Sequence, residues 1–358
     1  MGLLYIDGFD VQDNAIRWIQ TGATGDFTYG TPTRFSAGKA LLMSSVSSNT
    51  TMNILRGVTP SAAVYAGAAL QVGVESDSNN GNPTANLFAM YTDGGVTGHI
   101  YIRRLSTNAI NVYRGDGISG NLGSPSGTVI ATTAAGVLDG NWRYVEVYAL
   151  IHATTGRVTV RVDGVTVLDF TGNTRNGGTS TNIDAIRFRS GMYFASNNCK
   201  ISLDDLYVCD ATGTTNNTFL GDVRVQSLLP MGAGSSTQLT PTGSANNWQN
   251  VNEVPFNNAT YNASSTVGQR DTYALSDLVA NTTTIYGTQS VAHMQKSDAG
   301  LANAKIALKS GASVYYDATQ SLGSSTTAYT QVHETDPATA AAWTVGNANN
   351  LEAGMEVV

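Results

Sequence analysis

Carboxylates are the residues of this chain most able to do chemistry, and their spacing limits what that chemistry is. The glutamates are Glu75, Glu146, Glu253, Glu334, Glu352 and Glu356. Acid–base cleavage of a glycosidic bond needs two carboxylates roughly 5–10 Å apart, one of them held protonated. Only Glu334/Asp336 and Glu352/Glu356 have an acidic neighbour at short spacing on a legible strand. The first pair leads into a helix cap and the second lies at the C-terminus, while Glu146 stands alone between Val145 and Val147. Catalysis is therefore not expected, and the chain is read as a non-enzyme. His99, His152, His293 and His333 share no H-x-x-x-H spacing, which speaks against zinc. No G-x-S-x-G elbow and no G-x-x-x-x-G-K-[ST] phosphate loop occurs.

Other side chains are suited to binding. Tyr91, Tyr101, Tyr113 and Tyr193 fall on or near strand ends and loops, with Asn108, Asn111 and Asn176 close in sequence. Aromatic platforms beside amides suit a glycan site. The competing reading is that these tyrosines fill half-buried sheet positions, where tyrosine is favoured. Trp248, Tyr315, Tyr316 and Trp343 are candidate interface anchors, with core packing as their alternative role. Cys199 and Cys209 flank one expected strand, whose ends lie roughly 33 Å apart, so they are read as inert thiols and not as a disulfide.

The elements that must position these residues are strands. Residues 139–170 show the pattern most clearly. Tyr144, Glu146 and Tyr148 alternate with Val145 and Val147, and Val158, Val160 and Val162 alternate with Arg157, Thr159 and Arg161. Such period-2 alternation sends one set of side chains to a core and the other to the opposite face. Asp163-Gly164 is a type I′ hairpin signal, because both central residues of that turn need φ > 0. With these, about a dozen short apolar segments up to residue 209 are separated by Gly- and Asn-rich turns, without helical periods between them. The expected class is all-β, a sandwich or jelly roll.

Composition agrees. Charged residues are 13% of the 358, against about 25% in ordinary soluble domains. The net charge is −7 and no run of Lys or Arg could track phosphates, so nucleic-acid binding is not expected. No apolar run approaches the ~20 residues of a membrane span, so no membrane insertion is expected. Nothing like a signal peptide follows Met1. Two domains are expected: residues 1–229 as a sandwich, 230–247 as an extended linker, and 248–358 as a smaller β-rich assembly module. Residues 219–229 read as one more strand, 271–278 as a short helix or bent strand, and 338–343 as a helical turn capped by Asp336.

The run Asp139-Gly140-Asn141-Trp142-Arg143-Tyr144-Val145, the hairpin at Val162-Asp163-Gly164, the opening Tyr5-Ile6-Asp7-Gly8-Phe9 and the closing Leu203-Asp204-Asp205-Leu206-Tyr207-Val208 together resemble the concanavalin A-like and laminin-G-like jelly rolls. The whole array is similar to structural proteins of tailed bacteriophages. In such a fold the first and last strands are neighbours, so Asp7 and Asp10 would meet Asp204 and Asp205. The resemblance implies a structural Ca²⁺ at that place, held by hard oxygen ligands. The alternative is that these aspartates cap strand ends and turns. No cofactor is otherwise required. The resemblance further implies a virion component (capsid decoration, neck or collar, fibre or tail) made in the host cytoplasm. It would act by contact with other virion proteins and copies of itself. The second functional reading is a glycan-binding adhesin for host-surface attachment.

Overall fold

In a computed structural model of the chain the alternating segments pair as antiparallel strands throughout. Residues 2–22, 26–30, 33–35, 38–44, 51–74, 85–115, 127–191 and 199–358 are described. The chain divides into two units. The first comprises Met1–Asp10 and Trp18–Val225, and the second Val11–Arg17 and Gln226–Val358.

The strands of the first unit begin with β1 (Leu3–Asp7), β2 (Ile19–Thr21), β3 (Phe27–Gly30), β4 (Ala40–Met43) and β5 (Thr51–Ser61). They continue with β6 (Ala63–Val74), β7 (Ala85–Thr92), β8 (Thr97–Arg104), β9 (Ile110–Arg114) and β10 (Thr128–Thr132). The last five are β11 (Arg143–Leu150), β12 (Gly156–Val162), β13 (Val165–Gly172), β14 (Ile183–Gly191) and β15 (Cys199–Asp210). One sheet runs β13-β12-β11-β6-β15-β4-β3, with β1 also on β15. The other runs β10-β9-β8-β7-β14-β5-β2. The unit is an all-β jelly-roll sandwich. Val145, Val147 and Ala149 of β11 and Val158 and Val160 of β12 enter the core fully buried. From the second sheet come Phe88, Met90, Ile100, Ile102, Ile186 and Phe188. Each such aliphatic or aromatic side chain contributes about 1.5–3 kcal/mol by leaving water. Asp163 (φ 49°) and Gly164 (φ 79°) form the left-handed pair expected between β12 and β13.

β15 closes the first sheet in two halves. Ile201–Leu203 pairs β4 and Leu206–Cys209 pairs β1. A register shift between Asp204 and Tyr207 separates them, with Asp205 at φ 52°. First and last strands are thus neighbours, as the fold class requires. Cys209 is buried, and the side chain of Cys199 lies outside the described residues.

The second unit contains α1 (Asn14–Arg17) and ten short strands. These are β16 (Pro230–Thr237), β17 (Thr240–Thr242), β18 (Tyr261–Ala263), β19 (Arg270–Leu275) and β20 (Thr288–Met294), then β21 (Asn303–Ser310), β22 (Ser313–Tyr316), β23 (Gln320–Ser321), β24 (Thr327–His333) and β25 (Glu352–Val357). Its sheet runs β16-β19-β25-β21-β22, with β23 on β21, and two ribbons pair β17 with β18 and β20 with β24.

Several local expectations are corrected. Residues 230–247 are not an extended linker, because Ala233 of β16 pairs with Tyr273 of β19 and small side chains alternate along that edge. Residues 219–229 form no strand. Of the two readings for residues 271–278 the strand holds and the helix does not, since β19 is a central strand followed by coil. At 337–340 the chain makes a turn, and the helix follows as α2 (Val345–Asn349), capped by Thr344. Asp336 spends its carboxylate on Ser310 Oγ (2.6 Å), Ala338 N (3.0 Å) and Asn347 Nδ2 (2.6 Å).

Candidate functional site

The outer face of the second sheet of the sandwich gathers polar and aromatic side chains into cross-strand rows. Tyr113 faces Tyr101, Tyr101 faces Ala89, Ala89 faces Arg187, Arg187 faces Leu55, and Leu55 faces Ile19. A second row places Asn111 opposite Arg103, Arg189 opposite Asn53, and Asn53 opposite Thr21. Alternation with period 2 explains both rows, since Arg187 and Arg189 flank the inward-facing Phe188.

Three of the four tyrosines named from the sequence meet on this face, while Tyr193 lies outside the described residues. Tyr91, Tyr101 and Tyr113 pack with Leu55, Ala89 and Ala185. The Tyr101 and Tyr113 rings stack with centroids 4.5 Å apart and planes 6° apart. Their exposures are 1%, 1% and 5%, so their ring faces are covered and none is an open platform. Tyr91 has a different task. The Arg187 guanidinium lies over its ring at 4.2 Å, a cation–π contact that fixes the arginine. Asn111 accepts from Thr132 Oγ1 at 2.8 Å and donates to Tyr113 Oη at 3.2 Å. Asn108 and Asn176 are engaged elsewhere, by Arg104 and by the Gly98 carbonyl.

At the β2 end of the same face lies a cavity of about 380 Å³, lined by Ile19, Thr21, Asn53, Leu55, Gly94, Arg187 and Arg189. One wall is the turn between β7 and β8. Asp93, Gly94 and Gly95 all have positive φ there (57°, 68° and 91°), which is why the sequence needs Asp-Gly-Gly. A Cβ on Gly95 would lie 2.4 Å from Leu55 Cδ1. The Gly95 carbonyl accepts from Arg187 Nη2 at 2.9 Å, and the Gly94 amide donates to Asp184 at 3.1 and 3.2 Å. None of the cavity residues was singled out from the sequence. The readable signal was Arg-Phe-Arg, two cations on one face of an apolar strand.

The aspartates expected around calcium are each held by protein donors. Asp7 accepts from Tyr5 Oη (3.0 Å), Phe9 N (2.8 Å) and Trp18 Nε1 (2.8 Å). Asp10 accepts from Lys39 N at 2.8 Å. Asp205 binds Arg34 Nη1 (2.8 Å) and Val225 N (2.7 Å), and Asp204 accepts from Asp205 N (2.8 Å). Burial, and then the neighbouring Asp205 charge, push the Asp204 carboxyl well above its usual range. Among the described residues no three acidic, histidine or cysteine side chains converge as a metal-binding group. Glu146 is fully buried in the outer face of the first sheet, accepting from Tyr207 Oη at 2.5 Å and Gly221 N at 2.8 Å.

Of the anchors proposed for assembly, Trp343 is a core residue, 5% exposed. It packs with Leu308 and Leu351 and donates Nε1 to the His333 carbonyl at 3.0 Å. Trp248 is half-buried in a 3₁₀ turn, Tyr315 is half-buried on β22, and Tyr316 is 36% exposed, with its hydroxyl on Glu356.

No family model matches the chain, and no curated protein matches it in sequence. Solved structures are similar in fold. The cellulose induced protein Cip1 is 12% identical with a TM-score of 0.43, over 61% of this chain and 100% of its own. The alginate lyase Aly36B, in complex with alginate tetrasaccharide, is 13% identical with a TM-score of 0.39, over 58% and 95%. The carbohydrate esterase of Shiga toxin-encoding bacteriophage phi24B is 15% identical with a TM-score of 0.36, over 54% and 89%. At these identities the likeness shows the fold alone. It nevertheless corrects one expectation, because a lyase and an esterase occur among the similar structures. The non-enzyme reading, which rested on carboxylate spacing, is withdrawn.

Proposed function

We propose that the first unit is a carbohydrate-binding module and that the cavity at the β2 end of its second sheet receives a sugar ring. The observation that carries this reading is the lining. A pyranose presents hydroxyls around its rim and C–H groups on its faces, so its site must offer hydrogen bonds and an apolar patch together. Thr21, Asn53, Arg187 and Arg189 offer the first, and Ile19 and Leu55 the second. The volume, about 380 Å³, lies within the range of small-ligand pockets. Six of the seven lining residues stand on strands β2, β5 and β14, and Gly94 comes from the β7–β8 turn, so most of the site has the precise placement that strands give. Titration of oligosaccharides into the full chain, followed by calorimetry, tests it. Binding is expected and should weaken about tenfold in Asn53→Ala, the loss of one good hydrogen bond. Absence of binding across a broad glycan array would refute the reading.

A second reading, a phage-particle component held by contact with other copies or other virion proteins, draws on exposed apolar side chains in the second unit. Met231, Val267 and Leu301 are 60%, 73% and 96% exposed, apolar groups that such a contact would remove from water. Localisation on a virion, after synthesis in the host cytoplasm, belongs to this proposal. Detection of the chain in purified particles at a symmetric copy number supports it, and a chain that stays monomeric and absent from particles counts against it.

A further inference from the structure

We infer that the sugar taken by this cavity is acidic, with its carboxylate received by Arg187 beside Arg189. The inference rests on the carbohydrate-binding reading and narrows it to a ligand class.

Charge is the first observation. The lining holds Arg187 and Arg189 and no carboxylate, within a chain whose net charge is −7. Several other arginines of this unit are matched by acids. Arg143 pairs with Asp139 and Asp163 at 2.7 Å, Arg157 with Asp169 at 2.6 Å, and Arg34 with Asp205 at 2.8 Å. Arg187 has no carboxylate within 4 Å among the described residues. Asp184, a nearby acid on the same strand, is engaged by the Gly94 amide instead.

Geometry is the second. Arg187 is held at two points, by Gly95 O through Nη2 and by the Tyr91 ring beneath its plane. Its Nε is buried and has no hydrogen-bond partner. A guanidinium fixed in this way keeps donors in reserve, and a planar carboxylate is the group that fits its fork bidentately. A neutral hydroxyl would satisfy one donor and leave the charge unmatched. Arg189 is 7% exposed and stands two positions along β14 on the same face. In a partly desolvated cavity the Arg187 charge is screened less than it would be on an open surface.

The test uses the full chain and four probes: hyaluronan and polygalacturonate oligosaccharides, and the carboxyl-reduced counterpart of each, which is neutral but otherwise unchanged. Calorimetric titration should show binding of at least one acidic probe and at least tenfold weaker binding of its reduced form. Arg187→Gln should lower affinity for the acidic probe about tenfold or more without changing the thermal midpoint beyond a few degrees. Arg187→Lys should recover little, because a point charge does not reproduce the fork. If a reduced probe binds as well as its acidic parent, the acidic assignment is wrong while the carbohydrate reading stands. If neutral glycans bind on an array but neither acidic probe does, the result is the same. If no glycan of any kind binds, both fall.

Discussion

Tyr207 and Glu146 are joined across a strand that separates them. Tyr207 lies on β15, Glu146 on β11, and β6 runs between, with Gly67 paired to both. The Tyr207 hydroxyl passes over Gly67 to donate to Glu146 at 2.5 Å, and it accepts the Leu220 amide at 3.1 Å. Glu146 also takes the Gly221 amide at 2.8 Å. The pair fastens residues 219–221 onto the outer face of the first sheet, where Phe219 meets Tyr65 edge-on at 4.9 Å. Glu146 is therefore engaged structurally through Oε1, while its buried Oε2 has no hydrogen-bond partner and lies 3.8 Å from Arg161 Nη1.

A side chain at position 67 cannot coexist with this bridge. A Cβ there would lie 2.3 Å from Tyr207 Cε1, and the ring is fully buried. Gly67→Ala is expected to cost about 1–3 kcal/mol by overpacking. Tyr207→Phe should cost about 1–3 kcal/mol through the lost bond to a buried carboxylate. Urea denaturation of both variants checks this, and changes below about 0.5 kcal/mol in each would show that the bridge contributes nothing.

Asp204 should make the fold less stable as pH rises. Burial and then the Asp205 charge raise its folded carboxyl above the unfolded value near 3.8. The folded state thus binds the proton more tightly, and stability falls as pH climbs from that value through the folded one. Asp204→Asn keeps an oxygen for the Asp205 amide and removes the charge. Its thermal midpoint should exceed the parent's at pH 8, with the gap closing towards pH 4. A gap independent of pH would contradict the assignment. Millimolar Ca²⁺ is expected to leave the parent's midpoint where EGTA leaves it, because Asp7, Asp10, Asp204 and Asp205 each hold protein donors.

Within the second unit, Asp13 has the opposite sign. Burial alone would raise its carboxyl, but the His293 hydrogen bond (2.8 Å) and Arg17 (2.6 Å) hold it below 3.8. Its contribution is complete above pH 4 and is lost as pH falls below that value. Asp13→Asn removes the charge facing Arg17 and keeps only one of the two oxygens that Arg17 and His293 use in this buried site, and should cost about 3–5 kcal/mol. Denaturation at pH 7 and pH 3 should show a large difference from the parent at the first and a small one at the second.

Tyr91 should matter to ligand binding although it does not line the cavity. Tyr91→Leu removes the ring beneath Arg187 and should weaken binding of an acidic oligosaccharide by about 0.5–2 kcal/mol. Tyr113→Phe, at the far end of the same row, should leave affinity unchanged. Equal effects from the two would mean that the tyrosine cluster acts through general packing.

What the sequence determined alone was the local grammar of strands. Valines alternating across residues 145–162 with Asp163-Gly164 between two runs specify a meander, because period-2 side-chain direction and left-handed turn conformations are properties of a few adjacent residues. The all-β class followed from that grammar, and the pairing of first with last strand from the resemblance to jelly rolls. Functional placement did not. Tyr91, Tyr101 and Tyr113, named as platforms, are covered, Trp343 is core, and the aspartates named as ligands are held by protein donors. Those outcomes depend on which strands become neighbours. Arg187 and Arg189 share a cavity with Ile19, Thr21 and Asn53 only because β5 lies between β14 and β2. Contacts across more than a hundred residues of chain carry no local signature, so the tertiary structure alone decided which residues form the site.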